Sequence, residues 1–124
     1  MVRYAAPDFS REPHRPVSPG GESFCDLVTR TGQALERIAR EHAGRTIVLV
    51  THGGFIDAAF IHFFRLAPAL PPTQLSTTHA SITHWQHRRR WNDTPGWHLI
   101  CFNDVAHLRD IDADIRIPWE KLRL

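Results

Sequence analysis

A chain of 124 residues with 42% hydrophobic and 23% charged residues suits one globular domain rather than a disordered segment. Its formal net charge of +2 is too small to single out nucleic acid as a partner, while a pI near 8.9 stays compatible with a small anion. Cys25 and Cys101 are too few for a disulfide scaffold and lack metal-binding spacing, so they read as thiols of a reducing compartment.

The first stretch, MVRYAAPDFSREPHRP, has no apolar run of the signal-peptide kind, and nowhere does the chain reach the length of a transmembrane helix. A soluble, cytoplasmic protein without membrane contact is the expectation. Pro7, Pro13, Pro16 and Pro19, followed by Gly20-Gly21, predict an extended, irregular start. Ser23 then opens a helix. Asp26, three residues on, completes a capping-box pattern, and Phe24, Leu27, Val28, Thr31, Leu35, Ile38 and Ala39 recur at helical spacing. Gly44 is placed to end it in a left-handed conformation.

Thr46–Thr51, TIVLVT, is short, β-branched and apolar on both faces, which predicts a central parallel strand covered on each side. From Phe55 to about Leu66 the residues are apolar all round, predicting a largely buried second helix that Pro68, Pro71 and Pro72 terminate. Ala80–His87 and Trp97–Asn103 alternate as strands do, and RRRWNDTPG between them is rich in turn residues, so the pair predicts a β-hairpin. The sum is an α/β fold with a mixed sheet. The segmentation expected is an irregular segment over 1–18, an α/β domain over 19–108 and a tail over 109–124.

The chemistry concentrates where the predicted strand ends. His52-Gly53-Gly54 follows Thr51 and leads into the second helix. Ligands of open α/β sheets bind beyond the carboxyl ends of strands. A helix starting there aims free N–H groups and the positive end of its dipole at an anion, glycine lets the backbone come close, and a histidine side chain can donate a hydrogen bond. A hydrogen-bonded structural histidine beside a simple Gly-Gly turn accounts for the same three residues, so spacing alone leaves both readings open.

Four stretches in order, PGGES at 19–23, VTHGG at 50–54, HASIT at 79–83 and WHLICFNDVAHL at 97–108, resemble motifs of the histidine phosphatase superfamily, the phosphoglycerate mutase-like proteins. The resemblance implies a partial three-layer phosphoglycerate mutase-like sheet with flanking helices and a C-terminal β-hairpin. It implies that His52 is the second histidine of such a site, stabilising a transferred phosphoryl group, with Gly53 and Gly54 touching phosphate oxygens. Glu22 matches the glutamate of the family's G-E-S motif, expected to brace a pocket arginine or His52. His79 stands where the family has asparagine. No cofactor is implied, and the ligand would be phosphate or a phosphomonoester.

The family's nucleophile is a histidine in an R-H-G motif, and that motif occurs nowhere in the 124 residues. The resemblance thus implies that the sequence begins partway through the usual domain. Two function classes follow: a phosphomonoester phosphatase lineage whose phosphohistidine nucleophile is missing from this chain, or a non-catalytic remnant that binds phosphate or dimerises. Without the neighbouring strand, the Ile47–Thr51 edge is expected to be covered by a homodimer or a swapped assembly. Other candidates are weaker. His84 and His87 lie three apart on a strand and so on opposite faces, and neither H-E-x-x-H nor C-x-x-C is present, so no metal is expected. Arg88-Arg89-Arg90-Trp91 could grip a nucleic-acid backbone, but a solvated hairpin tip is the simpler reading in a chain so weakly cationic. His107 reads as structural.

Overall fold

The structure, a computed structural model, describes residues 4–68 and 75–110. It contains helix α1 (Phe24–Glu41), helix α2 (Gly53–Phe64), strands β1 (Ile82–Arg89) and β2 (Pro95–Asp104), and a short 3-10 turn, Ala106–Leu108. This is an α/β fold consistent with a partial phosphoglycerate mutase-like domain. The chain divides into two compact units, Met1–Leu75 and Ser76–Leu124. None of the described helices is long and apolar enough to cross a membrane. The tail expected over 109–124 lies outside the described residues beyond Asp110.

In the first unit, a tight turn delivers the chain into α1. The Gly21 N–H donates to Ser18 O at 2.9 Å, and Gly20 takes φ +73°, which with Pro19 before it fits a type II turn. Ser23 then caps α1 as its spacing predicts. Its Oγ accepts from the Asp26 N–H (3.1 Å), while the Asp26 carboxylate accepts from the Ser23 N–H (2.9 Å) and Oγ–H (2.7 Å). Two otherwise unpaired donors are thereby satisfied at once. The helix ends at His42, and Gly44 follows at φ +77°.

The core is small. Phe24 and Val28 of α1 meet Ala58 and Ile61 of α2, with Phe9 and Leu27 packed against them; the Phe9 ring stacks on Phe24 at 5.7 Å between centroids. Gly32 of α1 lets α2 come close, because a Cβ there would fall on the His62 ring. The face of α1 predicted from spacing is the face that packs. The second helix is less covered than expected. Ala58, Ala59 and Ile61 are buried, but Phe64 is 54% exposed. Its start at Gly53 precedes the Phe55 from which its apolar run was read.

The larger correction concerns Thr46–Thr51. The segment belongs to no strand and forms no bridge, and Val48 and Val50 are 84% and 98% exposed. A ribbon becomes a strand only when its N–H and C=O groups meet another backbone. In this chain none does so for residues 46–51 among the described residues. The mixed sheet expected is, over those residues, a two-stranded antiparallel one.

That sheet forms the second unit. β1 and β2 pair from Ile82↔Asp104 to Arg89↔Pro95, with irregularities on either side of His84. Both strands run further toward the turn than the alternation suggests. Arg90–Thr94 closes the hairpin: the Arg90 N–H donates to Thr94 O at 2.8 Å and the Asp93 N–H to Arg90 O at 3.0 Å. Asn103 and His107 tie the other end. The Thr78 N–H donates to Asn103 Oδ1 (2.7 Å), and His107 Nε2 lies 3.0 Å from Ala80 O, which can only accept. His107 is structural here, as its position suggests.

Candidate functional site

His52 is the N-cap residue of α2, extended at φ −112° and ψ 163°. Its carbonyl accepts from the N–H groups of Phe55 (3.0 Å) and Ile56 (3.2 Å), which closes the first turn. The amides of Gly53 and Gly54 come before those donors and bond to no described residue. The His52 side chain makes no capping hydrogen bond. Residues 52–54 are all exposed. A Cβ on Gly53 would meet nothing, while one on Gly54 would sit 3.6 Å from Leu27 Cδ2, so the second glycine is also where α2 rests on α1. The geometry is therefore an imidazole and two free amides at the positive end of a twelve-residue helix, open to solvent.

Glu22, expected to brace a pocket arginine or His52, pairs with Arg30 and not with His52. Its carboxylate is held in a two-pronged pair by Arg30 of α1, Nε to Oε1 at 2.8 Å and an NH2 group to Oε2 at 3.0 Å. The Arg30 hydrogen bonds hold the Glu22 carboxyl below its usual range, and burial and the neighbouring Asp26 oppose this. Glu22 makes no hydrogen bond to His52. Arg30 lines a hollow of about 410 Å³ on the outer side of α1, with Gln33, Ala34, Glu36, Arg37 and Arg40. Neither His52 nor its two glycines reach that hollow.

One group escaped the sequence reading. Asp57 is an acid in the apolar α2 segment, half-buried, with its Oδ1 enclosed and unpartnered. Burial pushes its carboxyl above the ordinary value. An isolated acid in FIDAAFIHFF was the available signal. Cys25 is free, buried, and donates to Pro68 O at 3.2 Å; burial raises its thiol, the opposite of what a nucleophile requires. No cluster of three potential metal ligands occurs among the described residues.

A histidine and two glycines opening a helix, in an α/β fold with a capped helix ahead of it, are consistent with a protein of the phosphoglycerate mutase-like class. More particularly, the chain belongs to the histidine phosphatase superfamily, branch 1, which matches residues 2–97. It is 30% identical over 103 residues to the metal-independent phosphoserine phosphatase of Arabidopsis thaliana, covering 83% of this chain and 39% of that protein. It is 33% identical over 94 residues to phosphoglycerate mutase-like protein 4 of the same plant, covering 76% of this chain and 37% of that one. The chain thus spans about two-fifths of the length of these relatives. No solved structure gives a significant match.

Proposed function

We propose that this chain carries the phosphate-holding part of a phosphomonoester phosphatase, with His52 and the amides of Gly53 and Gly54 as its contacts to the phosphoryl group. The observation that carries the reading is the pair of free amides next to an uncommitted imidazole at the start of α2. Such an array offers two amide donors and a ring N–H side by side, so it suits an acceptor-rich anion. The names of the relatives support a phosphorylated small molecule as ligand.

Holding phosphate is less than transferring it. Transfer through a covalent intermediate needs a nucleophile and cationic groups around the developing charge. The 124 residues contain no R-H-G, Glu22 is engaged by Arg30, and the imidazole is one donor. The chain by itself binds phosphate weakly and hydrolyses p-nitrophenyl phosphate slowly or not at all. This leaves the non-catalytic binding module as the second reading. Titration of inorganic phosphate, followed by the ring signals of His52, tests the site. Saturable shifts that weaken about tenfold in a His52→Ala chain (followed at the Gly53 and Gly54 amides) are expected, the scale of one charge-assisted hydrogen bond. Shifts that are absent, or unaltered by the substitution, refute it. Hydrolysis that falls in His52→Ala would favour the enzyme over the binding module.

A further inference from the structure

The positive charge of this chain is gathered at the closed end of the hairpin. Three arginines against one aspartate over Arg88–Pro95 give that stretch a surplus of +2, as large as the formal net charge of the whole chain. The Arg90 and Asp93 backbone bonds leave a three-residue loop, Trp91-Asn92-Asp93, whose last member is left-handed at φ +63°. Trp91 opens the loop and stands clear of the strands, 97% exposed. The hairpin itself holds two of the arginines beside it. Arg89 pairs with the Asp93 carboxylate at 3.0 Å and donates to Asp93 O at 3.0 Å. The Arg90 guanidinium lies back over Gly96, where a Cβ would collide with it, and Gly96 is buried. Arg88 stands opposite Gly96 in the ladder, so Arg88 and Arg90 come to one face of the hairpin. Neither forms an ion pair among the described residues.

We propose that this tip binds single-stranded nucleic acid, with an unpaired base stacked on Trp91 and the flanking phosphates taken by Arg88 and Arg90. The partner follows from what the tip offers, which is one open aromatic face beside two uncommitted guanidinium groups. A single strand presents the complement of both, an accessible base face and a phosphate at every nucleotide. A duplex keeps its base faces stacked inside and would use only the arginines. A bilayer surface fits less well, because Trp91 is the single apolar side chain of the loop and Asn92, Asp93 and Thr94 around it are polar. An acidic peptide would meet the charges and leave the indole idle. The Arg89–Asp93 clip and the seat of Arg90 on Gly96 fix the loop before any partner arrives, which reduces the ordering cost of binding. Stacking accepts any base, so the binding is tolerant of sequence and sensitive to salt. It involves none of the residues of the proposed phosphate site and does not rest on that reading.

The test uses the full chain and the fluorescence anisotropy of a labelled oligothymidylate of about a dozen nucleotides, a length within the usual single-strand site sizes. The wild type is expected to bind it saturably at low salt, and a mixed-sequence duplex of the same length more weakly. Trp91→Ala is expected to weaken binding about tenfold, the scale of one stacked base, while Trp91→Phe, which keeps a ring, retains most of it. Two phosphate contacts predict a slope of about −1.4 for log K against log salt, falling to about −0.7 in Arg88→Ala. Trp91→Ala is expected to leave that slope as it is, because the indole carries no charge. All three positions are exposed, so the variants are expected to keep the circular dichroism of the wild type. Absence of saturable binding overturns the proposal, as does binding indifferent to Trp91→Ala. Equal affinity for the duplex or for polyglutamate would reduce the tip to a patch of charge and overturns it too. Tighter binding to phosphatidylcholine–phosphatidylserine vesicles than to the oligonucleotide would assign the tip to a membrane surface instead. Binding that His52→Ala abolishes would place the strand at the start of α2 and refute the tip as its site.

Discussion

Asp57 shows how much one side chain can reveal about what a fold tolerates. A carboxylate oxygen enclosed without a donor loses the water that stabilised its charge. The Asp57 carboxyl is accordingly raised, with burial as the cause. Since the folded value lies above the unfolded one, the folded state keeps the proton over that window, and stability falls as pH rises through it. Replacing Asp57 with Ala should therefore stabilise the chain at neutral pH, by about 1 kcal/mol, and do so less as the pH falls through the raised folded value towards the ordinary value of 3.8. Thermal unfolding of both chains across that range checks the direction; a gain that is equal at both ends, or a loss, would contradict it. Ser23 is the opposite case, a small side chain whose bonds are all made. Its replacement by Ala should remove about 1 kcal/mol, read as a lower denaturant midpoint. The cap was legible from Ser23 and Asp26 because both partners lie within one turn. The Glu22–Arg30 pair was not, since Glu22 stands outside the helix and the bend at Gly20 decides which way it points. Asp57 was passed over because an acid in an apolar run says nothing of whether a donor will meet it.

Helix α1 could be read nearly residue by residue because every requirement for it is local: a cap, a 3.6-residue apolar repeat and a glycine beyond the end. The hairpin was legible in kind but not in extent, since Arg88 and Arg89 continue a ladder although arginine carries little preference for strands. The ribbon at Thr46–Thr51 was misread for a different reason. Its composition states what the segment needs, a neighbour on each side, and does not state whether this chain contains one. The crossing of α1 and α2 shows the same division between local and non-local information. Nothing in TRTGQAL marks Gly32 as a contact, yet the His62 ring occupies the space its missing Cβ leaves, close to Phe63 and 3.4 Å from Glu36. Gly32→Ala gains helix propensity, worth about 1 kcal/mol. It must also displace the ring or part the helices, and overpacking of that kind costs about 1–3 kcal/mol. With a core this small, the balance should be a net loss of about 1 kcal/mol, visible in chemical denaturation. A more stable Gly32→Ala chain would show that the His62 ring moves aside freely and that the close approach carries little of the packing.

At the scale of the molecule, what matters is how a marginal fold and a weak anion site support each other. The first unit rests on the handful of buried apolar residues around Phe24, Val28, Ala58 and Ile61, and the proposed site is the open end of one of its two helices. A ligand that binds only the folded chain stabilises it in proportion to the logarithm of its concentration over Kd, about 2.7 kcal/mol at a hundredfold excess over Kd. In a small domain, each 1 kcal/mol moves the midpoint by roughly 4–8 °C. Phosphate should accordingly raise Tm. A rise alone would prove little, since phosphate also stabilises proteins by exclusion from their surfaces. The exclusion effect is common to the wild type and His52→Ala, because one exposed side chain barely alters the surface; the binding effect is not. The informative quantity is therefore the difference between the two chains as phosphate is increased. It should grow with concentration and level off near the point at which the weakened site also fills. Parallel curves for the two chains would place phosphate's whole influence in the solvent and remove the site at the start of α2.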